Sequence, residues 1–84
     1  MNLYFEKNAW EDYLFWQATD KKVLKKINTL IKECQRKPFE GIGKPEALKG
    51  NLSGYWSRRN TGDHRLVYSV QNDTLYIVQC RFHY

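Results

Sequence analysis

The sequence has little cysteine and little proline, with two residues of each among 84. Cys34 and Cys80 lie far apart, and neither belongs to the close Cys or His spacing that is typical of a structural zinc site. Cys34 falls in an apolar helical pattern and Cys80 in a strand pattern, so we predict two buried, reduced thiols. The sequence gives no reason to expect a metal or an organic cofactor.

Long hydrophobic runs are also missing. The N-terminus lacks the apolar core of a signal peptide, and no stretch approaches the roughly 20 apolar residues of a membrane-spanning helix. We therefore expect a cytoplasmic protein that does not insert into membranes. The length, without internal repeats or linker-like segments, predicts one domain over residues 1–84.

Positive charge and aromatic side chains are plentiful. The 14 Lys and Arg residues outnumber the 9 Asp and Glu residues, which gives a formal charge of +5. This excess favours a polyanionic partner without identifying it. Four Phe, three Trp and six Tyr residues supply much of the core that so short a chain can build.

The N-terminal half is predicted to be mainly helical. Residues 3–5 form a short apolar run that favours a strand, and a first helix is expected to begin at Asn8. Asp20 is a typical N-cap for a second helix, in which apolar residues recur at intervals of three and four until Pro38 ends it.

The C-terminal half is predicted to be a sheet. Residues 39–54 contain four glycines and indicate an ordered loop, with one helical turn around 46–49. Strands are expected at 55–59, 65–70 and 74–82, joined as an antiparallel meander. Helices followed by strands indicate the α+β class.

Alternation along the strands predicts which side chains face away from the helices. If Leu66 points towards the core, Arg65 and His83 share the opposite face. Arg59 joins them if it pairs with Arg65, whereas a slip of one residue would place Arg58 there instead. The predicted core-facing row is Leu66, Tyr68, Val70, Tyr76, Val78, Cys80 and Phe82.

The polar residues of this half have the chemistry needed to cleave RNA without a metal. Glu46 supplies a carboxylate, His83 an imidazole, and the arginines supply positive charge for a phosphate. Each of these could also be an ordinary surface residue. A non-catalytic RNA- or ribosome-binding protein and a basic DNA-binding regulator are the alternatives that the same composition allows.

Several motifs, in the same order along nearly the whole chain, resemble the YoeB family of toxins within the RelE superfamily. The matching segments are 10–13, 38–49, 51–59, 64–68 and 80–84. The resemblance implies a microbial-RNase-like fold with two N-terminal helices on a twisted antiparallel sheet. It also implies the toxin of a type II toxin–antitoxin system that cleaves mRNA in the ribosomal A site and so inhibits translation.

The resemblance further implies roles for individual residues in an attack by the RNA 2′-hydroxyl that yields a 2′,3′-cyclic phosphate. Glu46 matches the general base of this family and His83 the general acid. Arg65 matches the arginine that stabilises the charge on the phosphorus.

The remaining implied site residues bind or orient RNA. Tyr84 matches a terminal tyrosine that orients the phosphate or stacks on a base, and Lys49 and Arg59 match contacts to the RNA backbone. As partners, the resemblance implies mRNA and the ribosome, a YefM-like antitoxin and a second copy of the chain, with no specific DNA binding by the toxin alone.

Overall fold

The structure, a computed structural model, describes residues 1–83 as two helices packed against one face of a five-stranded sheet. Within this range no helix is long and apolar enough to cross a bilayer. The elements are β1 (Asn2–Phe5), α1 (Lys7–Thr19), α2 (Lys21–Arg36), β2 (Glu46–Ala47), a 3₁₀ turn (Gly50–Leu52), β3 (Trp56–Arg59), β4 (Arg65–Gln71) and β5 (Thr74–Gln79).

The sheet has the strand order β1-β5-β4-β3-β2. The predicted meander is confirmed as its centre, because β3, β4 and β5 pair in sequence as antiparallel neighbours. β1 pairs in parallel with β5 at one edge, and β2 pairs antiparallel with β3 at the other. The α+β prediction is confirmed, and the sheet is mixed because β1 runs parallel to its neighbour.

The second helix begins and ends as its sequence predicts. The Asp20 carboxylate accepts hydrogen bonds from the backbone N–H groups of Lys22 (3.1 Å) and Val23 (3.3 Å), which caps the N-terminus of α2. The helix ends at Arg36, ahead of Pro38. The first helix begins at Lys7 with Glu6 at its N-cap position, so the predicted start at Asn8 is wrong.

The predicted core-facing row is correct in β4 and partly wrong in β5. Leu75 and Ile77 are fully buried in the core, whereas Tyr76 and Val78 are only half-buried. The reason is a β-bulge at Val78, because Val67 pairs with Gln79 while Tyr68 pairs with Ile77. The extra residue reverses the alternation, so Cys80 again points into the core, as predicted, whereas Phe82, predicted in the same row, is exposed.

The segment 46–49 is extended, so the predicted helical turn there is wrong. Glu46 and Ala47 pair with Ser57 and Trp56 of β3, and the helical turn lies later, at Gly50–Leu52. Pairing with β3 offers the backbone of Glu46 and Ala47 partners that an isolated turn would lack. β2 thus places Glu46 at the edge of the sheet.

The loop between α2 and β2 is held by a buried arginine. Arg58 of β3 is fully buried, and its guanidinium donates to three backbone carbonyls of this loop and to the hydroxyl of Tyr68. The carbonyl acceptors are those of Lys37 (2.5 Å), Glu40 (2.8 Å) and Ile42 (2.8 Å). One cation therefore fixes the path of the chain leading into β2.

Gly43, in the same loop, provides a stability test. We expect Gly43→Ala to lower the free energy of unfolding by about 2–4 kcal/mol. The added Cβ would lie 2.9 Å from Cδ2 of Leu30 and 3.1 Å from Cβ of Arg58, at a φ of +82°. Urea denaturation followed by circular dichroism measures the loss.

Gly50→Ala is the matched control for Gly43→Ala. Gly50 has a similar φ of +66°, but a Cβ there would meet no atom within 4 Å among the described residues. Backbone strain alone should then lower the free energy of unfolding by about 1 kcal/mol. Equal losses in the two variants would contradict the tight packing around Gly43.

Candidate active site

A row of side chains crosses the face of the sheet that points away from the helices. Glu46 pairs with Ser57, Ser57 with Val67, and Val67 with Gln79, so one residue from each of four strands stands in line. Ser57 and Val67 are buried and form the floor between the two ends of the row. Three strand spacings separate the backbones of Glu46 and Gln79 by about 14 Å.

Two arginines stand beside this row on the same face. Arg59 pairs directly with Arg65, which confirms the predicted register and excludes Arg58 from this surface. Arg65 lies two residues from Val67 along β4, so both side chains point the same way. Its Nη1 donates to the carbonyls of His64 (3.1 Å) and Gly62 (3.4 Å) in the turn before β4.

Lys49 lies close to Glu46 at the β2 edge. Both residues line a cleft of about 430 Å³, together with Ala47, Leu48 and Leu52. Glu46 and Lys49 are exposed, so solvent and ligands reach them. A carboxylate and an ammonium group thus border the same end of the row.

His83 reaches this region by a different route from the one predicted. β5 ends at Gln79, so the expected strand up to Phe82 is wrong, and His83 is not placed by alternation along a strand. Phe82 instead adopts a left-handed conformation with φ of +67°, and its carbonyl accepts from the backbone N–H of Arg65 (3.0 Å). The chain after β5 turns back beside Arg65.

The first helix anchors the start of this C-terminal segment. Trp16 donates from Nε1 to the carbonyl of Cys80 (2.9 Å), and Oδ2 of Asp12 accepts from the N–H of Cys80 (3.1 Å). The thiol of Cys80 donates to the carbonyl of Ala9. Ala9, Asp12 and Trp16 lie at helical spacing on one face of α1, so three successive turns of the helix each make a hydrogen bond with Cys80.

Burial alters the acidity of several groups around these contacts. It raises the pKa of the Asp12 carboxyl, although the hydrogen bond from Cys80 and the charge of Arg81 oppose that shift. It also raises the pKa of Cys80 to about 12 and that of Cys34 to about 11. Both cysteines are buried thiols, which confirms that prediction, and they are too weakly acidic to act as nucleophiles at neutral pH.

His83 lines a second cleft, of about 460 Å³, between the end of β5 and the start of α1. The cleft also includes Gln79 and Arg81, with Glu11 and Asp12 on the helix side. The guanidinium of Arg81 lies 3.4 Å from the ring centroid of Phe15. His83 therefore lies near the Gln79 end of the row, opposite Glu46.

The structure thus gathers five of the six predicted site residues around this row. Glu46 and Lys49 stand at one end of the row, Arg59 and Arg65 beside it, and His83 near the other end. Tyr84 lies outside the described residues. Among residues 1–83, no group of three or more His, Cys, Asp and Glu side chains is arranged to hold a metal ion.

Three residues that hold the loop before β2 and the C-terminal segment in place were not predicted from the sequence: Arg58, Asp12 and His64. Arg58 entered only as the alternative to Arg59 in the hairpin register, and Asp12 and His64 were given no role. The ring of His64 accepts at Nδ1 from the N–H of Phe82 (2.7 Å). For Asp12, helical spacing with Ala9 and Trp16 was the available signal, but its partner Cys80 is too distant in sequence to be inferred from it.

The chain is similar to known proteins over nearly its whole length. Residues 5–84 match the family described as YoeB-like toxin of bacterial type II toxin–antitoxin system. Toxin YoeB of Escherichia coli strain K12 is 61% identical over 84 residues, with 100% of both chains covered. Toxin YoeB of Streptomyces coelicolor is 56% identical with the same coverage.

Solved structures of toxins from the same family have the same fold as this chain. A YoeB/ParE toxin from Agrobacterium tumefaciens superposes with a TM-score of 0.97 at 52% identity, with 100% of both chains covered. A YoeB dimer from Staphylococcus aureus superposes with a TM-score of 0.93 at 50% identity, over 100% of this chain and 98% of the other. The chain belongs to the YoeB-like toxins of bacterial type II toxin–antitoxin systems.

Proposed function

We propose that this toxin is a metal-independent endoribonuclease that cleaves mRNA in the ribosomal A site and thereby stops translation. The observation that supports the proposal best is the row from Glu46 to Gln79, with Arg59 and Arg65 beside it and His83 near its far end. A base, an acid and two cations gathered around one row are the groups that phosphodiester cleavage by the RNA's own 2′-hydroxyl requires.

The proposed reaction begins at the 2′-hydroxyl. The carboxylate of Glu46 takes the proton from O2′, and O2′ attacks the adjacent phosphorus. The bond from phosphorus to O5′ of the next nucleotide breaks as the new bond forms. The imidazolium of His83 donates its proton to the departing O5′, so the products are a 2′,3′-cyclic phosphate and a free 5′-hydroxyl.

The cations stabilise the charge that this reaction creates. Negative charge builds on the non-bridging oxygens as phosphorus becomes five-coordinate, and Arg65 is the arginine assigned to them. Arg59 and Lys49 border the same face and are assigned to neighbouring phosphates of the mRNA. We assign Tyr84 to orient the phosphate or to stack on a base, as the resemblance implies.

The charge of the protein suits a large RNA partner. The formal charge is +5, and the solvent side of α2 carries several exposed lysines and Arg36. Such a surface attracts the ribosomal RNA that surrounds the A site. We therefore assign the toxin to the cytoplasm, where ribosomes lie, and assign ribosome binding to its basic surface.

The solved relatives suggest protein partners as well. One Staphylococcus aureus structure is a heterotetrameric complex of YoeB with YefM, and another is a YoeB dimer. By analogy, we propose that this toxin forms a homodimer and is neutralised by a YefM-like antitoxin. A disordered acidic antitoxin segment would complement the basic toxin surface and block access to His83 and Tyr84.

Primer extension on programmed ribosomes tests the proposed activity. Addition of the wild-type toxin, with no metal beyond the Mg²⁺ that the ribosome itself needs, should produce a break within the A-site codon that is absent without toxin. The fragment upstream of the break should end in a 2′,3′-cyclic phosphate. An mRNA with a single 2′-deoxynucleotide on the 5′ side of the scissile phosphate should stay intact, because it lacks the nucleophile.

Each result separates the proposed nuclease from a non-catalytic binder. A toxin that binds the ribosome and stalls it while the mRNA stays whole would contradict the proposal. Cleavage of the 2′-deoxy mRNA would mean that water or a protein group attacks the phosphorus. An mRNA with sulfur in place of a non-bridging oxygen of the scissile phosphate that is cut only after a thiophilic metal ion is added would contradict the metal-independent mechanism.

A further inference from the structure

The backbone of Phe82 is held from both sides although its side chain is exposed. Its N–H donates to Nδ1 of His64 (2.7 Å), and its carbonyl accepts from the backbone of Arg65 (3.0 Å) and from Nε2 of Gln79 (3.3 Å). The Phe82 side chain remains 56% exposed, so burial contributes little to placing this residue. Hydrogen bonds hold its backbone in the left-handed conformation, while its ring contacts the guanidinium of Arg81, 4.4 Å from the ring centroid.

The His64 ring is itself held in place. It packs edge-on against Trp16, with ring centroids 4.9 Å apart and an interplanar angle of 82°. Trp16 is buried and donates to the carbonyl of Cys80, so the same side chain supports the start of the C-terminal segment. The backbone of His64 is fixed by hydrogen bonds with Thr61 and Asn60 in the turn. These contacts fix the orientation of the His64 imidazole.

The hydrogen bond also defines the state of the imidazole. Nδ1 accepts from the N–H of Phe82, so it bears no proton, and the ring proton of the neutral form lies on Nε2. A proton on Nδ1 would replace the acceptor by a donor facing the N–H of Phe82. The same arrangement leaves His64 unable to donate at Nδ1.

We propose that His64 is a positioning residue, which fixes the N–H of Phe82 through Nδ1 and so directs the following residue, His83, towards the scissile phosphate. The inference rests on the proposed function, in which His83 is the general acid. His64 and Arg65 are adjacent, and between them they hold the N–H and the carbonyl of Phe82. The dipeptide of His64 and Arg65 therefore fixes the position of the acid, His83, relative to the arginine that binds the phosphate.

Two substitutions distinguish the role of His64 as a hydrogen-bond acceptor from its role as an aromatic ring packed on Trp16. His64→Asn places an amide oxygen near the position of Nδ1, so it keeps the acceptor and loses the contact with Trp16. His64→Phe keeps a ring against Trp16 and removes the acceptor. If His64 serves only as an aromatic spacer, His64→Phe is the milder change; if it positions Phe82, His64→Asn is the milder change.

Single-turnover cleavage on programmed ribosomes measures the consequence for the reaction. His64→Phe should slow cleavage about 10–100-fold at saturating toxin, because a general acid displaced by about 1 Å loses that much. Ribosome affinity should not change, since His64 positions the acid and does not bind RNA. His64→Asn should keep most of the wild-type rate. The reverse order of the two variants would overturn the proposal.

Nuclear magnetic resonance of the full chain tests the hydrogen bond independently of cleavage. The His64 ring should show the Nε2–H tautomer, and the Phe82 amide should be protected from hydrogen exchange in wild type and in His64→Asn. Protection should be lost in His64→Phe. A Phe82 amide that remains equally protected in His64→Phe would overturn the proposal.

The two readouts keep this inference distinct from the proposed function. If wild-type toxin leaves the mRNA whole, the proposed nuclease fails, while exchange of the Phe82 amide still decides whether His64 holds the segment. Thermal unfolding shows that each variant is folded before its rate is compared. If His64→Phe does not fold, His64→Leu replaces it as the variant without an acceptor, with the same expected loss of rate and of protection.

Discussion

Glu46→Gln should slow mRNA cleavage by about 10²–10⁴-fold, the range typical of losing a general base. The amide has nearly the shape of the carboxylate, but it cannot take the proton from the 2′-hydroxyl. Glu46 lies on a two-residue edge strand and is exposed, so the substitution should leave the fold intact. Single-turnover primer extension on programmed ribosomes measures the rate, and sedimentation with ribosomes measures binding, which should persist.

Glu40→Gln is the matched control for Glu46→Gln. Glu40 is an exposed carboxylate in the same loop region, 3.4 Å from Nζ of Lys37, and lies outside the proposed site. Its loss removes the same charge from the protein, so any purely electrostatic effect on ribosome binding appears in both variants. Similar rates in Glu46→Gln and Glu40→Gln would remove Glu46 from the role of base.

A modified mRNA distinguishes the base from the acid. Sulfur in place of the departing O5′ gives a leaving group that needs little protonation. This substrate should restore cleavage by His83→Ala, in which the general acid is missing, and should not restore cleavage by Glu46→Gln. Restoration of both variants, or of neither, would contradict the division of roles.

The local features of this fold could be predicted from sequence because their causes are local. Asp20 and Pro38 delimit the second helix through a cap and a backbone restriction, and the structure agrees at both ends. The turn between β3 and β4 is short, so the pairing of Arg59 with Arg65 follows from neighbouring residues. Such features depend on few contacts between distant parts of the chain.

Features that depend on distant contacts were missed. The bulge at Val78 cannot be recognised from alternation, because apolar residues stand on both faces of β5 and either row looks like a core. The parallel pairing of β1 with β5 joins the two ends of the chain, and the short strand at Glu46 forms only against β3. The strand propensity of a single segment does not show which strand it will pair with.

His83 lies near the end of the row for a reason that strand alternation does not supply. Alternation along a long β5 assigned it to the outer face, but the strand ends at Gln79. The chain instead turns at Phe82 and is held by Arg65 and by His64, whose ring lies against Trp16 of the first helix. His83 reaches the outer region through tertiary contacts that no strand pattern encodes.

Arg58 is expected to be one of the residues on which stability depends most. Arg58→Ala should lower the free energy of unfolding by about 3–5 kcal/mol, because three loop carbonyls and a buried hydroxyl lose a charged donor. For a domain of this size, that loss lowers the melting temperature by roughly 15–30 °C. Thermal and urea unfolding followed by circular dichroism measure it.

Replacing a buried ion by an apolar residue is neutral in some proteins, and the partners of Arg58 explain why it should not be neutral here. They are fixed groups of a loop and of Tyr68, which would keep their need for a donor in a region closed to water. Arg58→Met, which preserves much of the apolar volume, should therefore be nearly as unstable as Arg58→Ala.

Arg59 gives the matched control, since it neighbours Arg58 in the same strand and is exposed. Arg59→Ala should change the free energy of unfolding by no more than about 0.5 kcal/mol while weakening RNA binding. Arg58→Ala, by contrast, should mainly lower the free energy of unfolding. Its effect should extend to cleavage at temperatures where the protein is still folded, because the loop that it holds leads into β2 and Glu46. Equal stability of the two variants would show that water replaces the guanidinium of Arg58. Other contacts would then fix the conformation of the loop between α2 and β2.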